Sequence, residues 1–361
     1  MGFILNFPHK ITLAIDAMGG DDAPQAIITG TERAISRDPS ITPILVGDEG
    51  KIRPFIKPNS PLRDVRIHHT TDMVASDDIP SQALRSGKNS SMRLAIDMVK
   101  DGEADAVVSA GNSGALMIMA LMVLRTIEGI DRPALAAFFP TMHGRCCMLD
   151  LGANIECSAT NLVQFAVMGD TFFRVTADAD PSASYKPSIG LLNIGEEEQK
   201  GSASIRDAAA ILSNPEINMN YYGFVEGSDF PMGVVDIVVS DGFSGNIALK
   251  TAEGTSRLIG TLIRQSFKAT LFAKLGYMFA SQSFKNLRNK MNPQNYNGAV
   301  LLGLNGIVVK SHGSANPKGF ANAIKVASDM HRNHFMDDVK KGIARSLKAI
   351  DMAQEQKNKT S

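Results

Sequence analysis

Short runs of apolar, β-branched residues alternate along the chain with longer segments whose apolar positions recur at helical spacing. The strand-like runs fall at 11–16, 43–46, 65–69, 106–109, 134–138, 148–151, 189–194, 224–226, 237–240 and 306–309. Strands that alternate with helices in this way predict an α/β fold with a mostly parallel sheet and helices on both faces. Asp22 and Pro24 suit the cap and first turn of the first helix. Asn89, Ser90 and Ser91 can cap a helix over 92–100, with Gly102 ending it. No shift in composition marks a linker, so one α/β domain is expected over 11–350, with two lobes around a cleft.

Five of the predicted strands run into polar, glycine-bearing loops. The first ends Asp16-Ala-Met-Gly19-Gly20-Asp21, and the next leads through Ser109 into Gly111-Asn112-Ser113-Gly114. A third runs through Asp150 into Gly152-Ala-Asn154, and a fourth into Gly195-Glu196-Glu197-Glu198-Gln-Lys200-Gly201. The most informative is Asp236 to Lys250, where Ile237-Val-Val leads into Asp241-Gly242-Phe-Ser244-Gly245-Asn246 and a helix expected near Asn246. Glycines let backbone N–H groups approach a ligand, and a helix N-terminus favours negative charge. One glycine after a strand is usually a turn. Five such loops together predict one cleft at the carboxyl ends of the strands, lined by Asn, Ser, Asp, Lys and backbone amides.

Composition narrows the classes. The 361 residues hold 37 basic and 37 acidic side chains, enough chain for a large core. The three cysteines, Cys146, Cys147 and Cys157, suggest a reducing compartment rather than a disulfide framework. No CxxC and no His pair at ligand spacing predicts a metal, and no secretory signal is visible at the start. Residues 106–124 carry no charge, but Ser109 to Gly114 interrupt them, so strand, loop and buried helix is the expected reading rather than a membrane span. From Gly254 to Ser328 there is no Asp or Glu, against ten Lys and Arg. Leu258, Leu262, Leu271, Leu275 and Phe279 recur there at helical spacing, which predicts an amphipathic helical hairpin over about 255–293. Its apolar stripe suits a core or dimer face. Alternatively its tip, with Leu271, Phe272, Leu275 and Phe279, touches an anionic bilayer. No nucleic-acid reading motif is present.

These loops resemble a known family. Asp16-Ala-Met-Gly-Gly-Asp21, Ser109-Ala-Gly-Asn-Ser-Gly-Ala-Leu-Met117, Leu149-Asp-Leu-Gly-Ala-Asn154, Leu192-Asn-Ile-Gly-Glu-Glu-Glu198 with Lys200-Gly201, Asp241-Gly-Phe-Ser-Gly-Asn246 and Lys310-Ser-His-Gly-Ser314 are similar, in collinear order, to the PlsX family of bacterial phosphate acyltransferases. The resemblance implies a three-layer α/β/α sandwich like phosphotransacetylases and isopropylmalate dehydrogenases, assembled as a homodimer. It implies that acyl-[acyl carrier protein] and inorganic phosphate give acyl phosphate and free carrier protein, with no cofactor. The product would pass to a membrane-bound glycerol-3-phosphate acyltransferase, which implies a cytoplasmic, peripherally membrane-associated enzyme.

With phosphate as nucleophile no Ser or Cys triad is needed; the site must supply charge and positioning. Lys200 and Asn246 are the expected catalytic residues. The substrate-binding set is Asp16, Gly19, Gly20, Asp21, Ser109, Gly111, Asn112, Ser113, Gly114, Asn154, Glu196, Asp241, Gly242, Ser244, Gly245, Lys250 and His312. Several have a plainer alternative: Lys200 as a surface ion-pair partner, Asn246 and Asn112 as helix caps, Asn154 as a turn residue, His312 as a core or dimer-interface residue. The aspartates would repel phosphate directly, so they orient Lys or backbone groups or meet the carrier's pantetheine arm. Two other functions compete. A nicotinamide-linked dehydrogenase would want a GxGxxG after the first strand, where Gly19 and Gly20 are instead adjacent. A membrane-surface scaffold would suit the basic hairpin but not five polar strand ends.

Overall fold

The computed structural model describes residues 10–176, 185–268, 271–290 and 293–344. In chain order the first half holds β1 (Ile11–Asp16), α1 (Gln25–Arg37), β2 (Ile41–Gly47), α2 (Glu49–Ile52), β3 (Arg66–His69), α3 (Pro80–Ser86), α4 (Ser91–Lys100), β4 (Ala106–Ser109) and α5 (Ser113–Leu124). Then come β5 (Ala134–Thr141), β6 (Gly144–Leu149), α6 (Ala159–Thr176), β7 (Ser188–Leu192), α7 (Ala203–Leu212), β8 (Asn220–Val225), α8 (Asp229–Met232) and β9 (Ile237–Val239). Two long helices, α9 (Gly242–Lys268) and α10 (Leu271–Lys290), precede β10 (Ala299–Leu302), β11 (Ile307–Lys310) and α11 (Pro317–Arg332).

The described strands form one sheet of eleven, in the order β3-β2-β1-β4-β11-β10-β5-β6-β9-β7-β8. The five strands at one end are mutually parallel, as are β6, β9, β7 and β8 at the other. Antiparallel pairings through β10 and β5 join the blocks and make their directions opposite. The register explains why two opposed blocks share a cleft. The start of β5 pairs with β10 (Val300 opposite Ala136), while its later residues pair with β6 (Ala137 opposite Met148). Lys310, the last residue of β11, lies opposite Ala299. The carboxyl ends of both blocks therefore arrive at the same level of β5, near Leu135 to Ala137, from opposite directions.

Both faces are covered, which makes three layers. One face packs α1, α6, α7 and α11 around Ile27, Phe165, Phe172 and Phe320. The other carries α3, α4 and α5 over the first block, and α8 and the start of α9 over the second. The uncharged segment is β4 followed by α5, whose Leu116, Met119 and Ala120 are buried.

Several local expectations change. β10 was not expected: it is four residues long between Gly298 and Gly303, both at positive φ, and its pairing with β11 and β5 defines it. α1 begins after Pro24 with no side-chain cap; Asp22 contributes its carbonyl to Ala26 N–H instead. Ser90 caps α4 as expected, accepting from Arg93 N–H. α9 begins at Gly242, so Asn246 sits one turn inside the helix and is no cap. Residues 345–350 of the expected domain lie outside the described residues.

Gly245 is where α9 presses on the end of β6. A Cβ there would stand 2.0 Å from the Asp150 carbonyl oxygen and 2.6 Å from Ser240 Oγ. Backbone cannot yield as a side chain can, so Gly245→Ala should destabilise by about 3 kcal/mol, the upper end for overpacking. Urea unfolding checks this: a midpoint equal to wild type would mean that the helix is not seated so closely.

Candidate active site

Two loop clusters face each other at the step in the sheet. The first comes from the adjacent parallel strands β1, β4 and β11, the second from β6, β9 and β7. Each is organised by one buried aspartate. Asp16, 1% exposed, accepts from Ser91 Oγ (2.7 Å), Ser109 Oγ (2.6 Å) and Met18 N–H (3.3 Å). Ser109 Oγ in turn accepts from Gly111 N–H at 3.1 Å. Gly19 allows this closeness, because a Cβ there would lie 2.6 Å from both Asp16 Oδ2 and the Gly111 nitrogen. Gly20, at φ +111°, lets the chain turn so that Asp21 N–H meets the Gly313 carbonyl at 2.9 Å.

Asp150 does the same work in the second cluster. It accepts from the N–H groups of Leu135, Gly152, Ala153 and Asn154 and from Asn154 Nδ2. Burial raises the pKa of Asp150, as it does that of Asp16, and the hydrogen bonds oppose the shift. Gly242 N–H donates to the Asn154 carbonyl at 2.7 Å, and Asp241 Oδ1 accepts from Ser244 N–H at 2.7 Å at the start of α9. The loops after β6 and β9 are thereby locked together.

These bonds divide the expected site residues. Asp16, Ser109, Asn112, Asn154 and Asp241 form the frame. Asn112 Oδ1 accepts from Ala115 N–H, and its Nδ2 donates to the Ser76 and Asp78 carbonyls. Asn154 turns its amide inward to Pro133 O and Asp150, and the positive φ in that turn belongs to Gly152. Other residues face the opening. A cavity of about 60 Å³ lies at the junction, lined by Ser113 and Gly114 on one side, Gly152 and Ala153 on the other, Lys310, and apolar walls from α5, Leu135 and Leu301. The exposed Asn246 side chain lies beside Gly152, where a Cβ would be 3.4 Å from its Nδ2.

Lys200 and Glu196 are exposed in the loop after β7, and Lys200 pairs with Glu197 at 3.6 Å. Asn193 holds this loop by donating from Nδ2 to the Lys200 carbonyl. Because β7 and β9 are neighbours, the loop carrying Lys200 and the first turns of α9 carrying Asn246 follow adjacent strands. Lys250 is exposed and bonded to Glu253 at 3.3 Å.

His312 N–H donates to Asn297 Oδ1 at 2.9 Å, and its Nδ1 lies 3.2 Å from Ser314 N and 2.9 Å from Ser314 Oγ. A backbone N–H can only donate, so Nδ1 accepts and the proton of the neutral ring sits on Nε2. Partial burial, then the charges of Lys250 and Lys310, lower its pKa and keep the ring neutral.

Lys310 was not among the expected site residues. It is 9% exposed, and its ammonium donates to the Ala110 and Ser311 carbonyls. Burial lowers its pKa to about 8, against the opposing influence of Asp16 and Asp21. In the sequence it opens the Lys310-Ser-His-Gly-Ser314 motif within a long basic stretch, and nothing there distinguishes a buried cation from a solvated one.

The cysteines lack the setting of a nucleophile. Burial pushes the Cys146 and Cys157 thiols up to about 12 and raises Cys147 as well; nearby Asp236 adds to the first, and Asp150 and Asp241 to the second. Cys157, the least buried of the three, should therefore alkylate with iodoacetamide far more slowly at pH 7.5 than a free thiol near 8.5, with a rate still climbing above pH 10. A rate that levels off near pH 8 would contradict this.

The fold is shared with solved structures of low sequence identity. A EutD phosphotransacetylase from Staphylococcus aureus superposes with a TM-score of 0.59 at 17% identity, covering 90% of this chain and 96% of that one. A 4-hydroxythreonine-4-phosphate dehydrogenase from Klebsiella pneumoniae gives 0.53 at 14% identity, over 89% of this chain and 99% of its own. A phosphate acyltransferase from Rhodospirillum centenum is 52% identical over 346 residues, 96% of each chain. Residues 11–338 match the family described as fatty acid synthesis protein. With that match and that identity over nearly the whole chain, the protein belongs to this family, the PlsX phosphate acyltransferases that its loop motifs resemble.

Proposed function

We propose that the protein is an acyltransferase that converts acyl-[acyl carrier protein] and inorganic phosphate into acyl phosphate and free carrier protein. The observation that carries the reading is 52% identity, over 96% of both chains, to a phosphate acyltransferase, in a molecule whose motif loops converge on one cation-bearing cleft. A phosphate oxygen attacks the thioester carbonyl carbon, a tetrahedral oxyanion forms, and the C–S bond breaks as the carrier's thiolate leaves and takes up a proton. Phosphate is anionic at neutral pH and needs no strong base. The protein's task is to hold two anionic partners together and stabilise the oxyanion.

Lys200 and Asn246 are assigned to the reacting centre: Lys200 sits in the loop after β7, Asn246 in the first turns of α9 after the neighbouring β9, and Asn246 lies beside Gly152. Asp16, Ser109, Asn112, Asn154 and Asp241 act as positioning residues, through the bonds that fix the loops. The dehydrogenase alternative draws on fold likeness alone, at 14% identity.

The hairpin extends the reading to membranes. Phe267 of α9 meets Tyr277 and Phe284 of α10 in a tilted and an edge-to-face contact that hold the two helices together. Phe272 and Phe279 on α10 are 86% and 85% exposed, and Leu258, Ile259 and Leu262 of α9 are exposed as well. The side chains of Leu271 and Leu275 lie outside the described residues. No helix among the described residues is long and apolar enough to cross a membrane. Burying such side chains needs a partner. The α9 stripe is assigned to a second copy of the chain, and the α10 aromatics with their acid-free surroundings to an anionic bilayer. There the reactive acyl phosphate would reach a membrane-bound glycerol-3-phosphate acyltransferase for phospholipid synthesis.

Two experiments test this. Acyl phosphate can be trapped as the hydroxamate after mixing the enzyme with acyl carrier protein thioester and phosphate. Lys200→Ala and Asn246→Ala should each lower turnover about 10²–10³-fold with little change in melting temperature. Near-normal turnover in both, or no product from the wild type, would sink the assignment. For membranes, Phe272→Glu with Phe279→Glu should abolish co-sedimentation with anionic vesicles at low salt while soluble turnover persists. Binding that survives in the double variant would assign the hairpin to protein contacts alone.

A further inference from the structure

The geometry points to the cavity between α5 and Lys310 as the inorganic phosphate subsite, with the Lys310 ammonium and the first turn of α5 as its ligands. The inference rests on the phosphate acyltransferase reading for its substrate.

Three features of the cavity carry it. First, it holds a cation that has no ion-pair partner at hydrogen-bond distance among the described residues. The recorded acceptors of Lys310 Nζ are two backbone carbonyls, Ala110 and Ser311, while the side chain lines the cavity. A buried ammonium that bonds only to neutral groups retains most of its desolvation penalty. A bound anion would remove it.

Second, the two residues of α5 that line the cavity, Ser113 and Gly114, are those whose N–H groups have no acceptor inside the helix. Asn112 takes up the next two donors, Ala115 N–H through its side chain and Leu116 N–H through its carbonyl. The helix has twelve residues and a buried apolar body, so its N-terminal turn is a fixed feature. Helix end and cation thus face one small space from two directions.

Third, the position of the cavity suits two substrates, since about 60 Å³ is room enough for a small anion. Gly152 and Ala153 form the opposite wall, and Asn246 lies beside Gly152. Phosphate on the Lys310 side would therefore face a thioester carbonyl presented on the Asn246 side. Lys310 would hold the nucleophile, and Lys200 with Asn246 the electrophile.

The test compares the full-length wild type with Lys310→Met and Ser113→Glu. The glutamate stands at an exposed first-turn position, where an acid favours the helix but repels an anion in the cavity. It carries the test alone if removal of Lys310 unfolds the protein. The melting temperature is measured against inorganic phosphate without acyl substrate, and KM is measured separately for phosphate and for acyl carrier protein thioester. The wild type should be stabilised by millimolar phosphate. Each folded variant should need about 10- to 100-fold more phosphate for the same shift and the same half-saturation, with KM for the acyl substrate nearly unchanged. Unchanged phosphate dependence in the variants would overturn the assignment. So would a raised KM for the acyl substrate alone, which would give the cavity to the thioester. Stabilisation by phosphate in a wild type that makes no acyl phosphate would instead refute the proposed function and leave the anion site standing.

Discussion

β5 changes partners halfway along its length, and the chemistry of the molecule follows from where it does so. A parallel sheet presents its loops at the carboxyl ends of its strands. Two parallel blocks running in opposite directions would normally present theirs at opposite edges. Here the blocks are offset along β5, so that β11 ends beside Ala299 and β6 ends beside the pairing of Ala137 with Met148. The offset brings both sets of loops to one step. The same few residues of β5 and β10 that join the blocks, Leu135 and Leu301, become the apolar floor of the cleft.

Loops at such a step need rigid anchors, and both clusters use the same device. A carboxylate at the end of a buried strand is surrounded by hydroxyl or N–H donors from its own and neighbouring loops. Removing a charge from water is costly unless its lone pairs are satisfied, so the donors have little freedom to move elsewhere. Asp16 ties α4 and β4 to β1 in this way, and Asp150 ties β5 to the turn after β6. The carboxylates that the motifs displayed most prominently thus act one layer behind the surface. The cations and amides they position do the presenting. Lys310 extends the logic with opposite sign. Below about pH 8 its buried charge opposes folding. That cost is withdrawn as pH rises toward the ordinary 10.5, because the native state then binds fewer protons than the unfolded chain.

The alternation of elements and the five loops were legible because each rests on local chemistry: β-branched runs for strands, glycine for close approach, Ser90 and Asn112 for helix starts. What stayed hidden depended on distant partners. β10 is four apolar residues whose identity as a strand comes from β5 and β11. The start of α9 could not be fixed at Gly242, because Asp241 and Asn154 set it from two different loops. Asn154 and Asn246 read alike in the sequence as polar residues beside glycine; tertiary packing turns the first inward and leaves the second at the opening. Lys310 stood in a stretch of ten basic residues, and burial, which sets it apart, is a property of the assembled sheet.

α9 has a mechanical consequence. Its first turns carry Asn246 and Lys250 at the cleft, and its last turns carry the exposed hairpin. Its 27 residues make a rod about 40 Å long. The near end is clamped between the Asp150 carbonyl and Asn154, while Gly254 and Gly260 have open space beside them. Such a rod is a lever with a short, fixed arm and a long, free one. A force on its exposed end would act as a torque on the turn that bears Asn246.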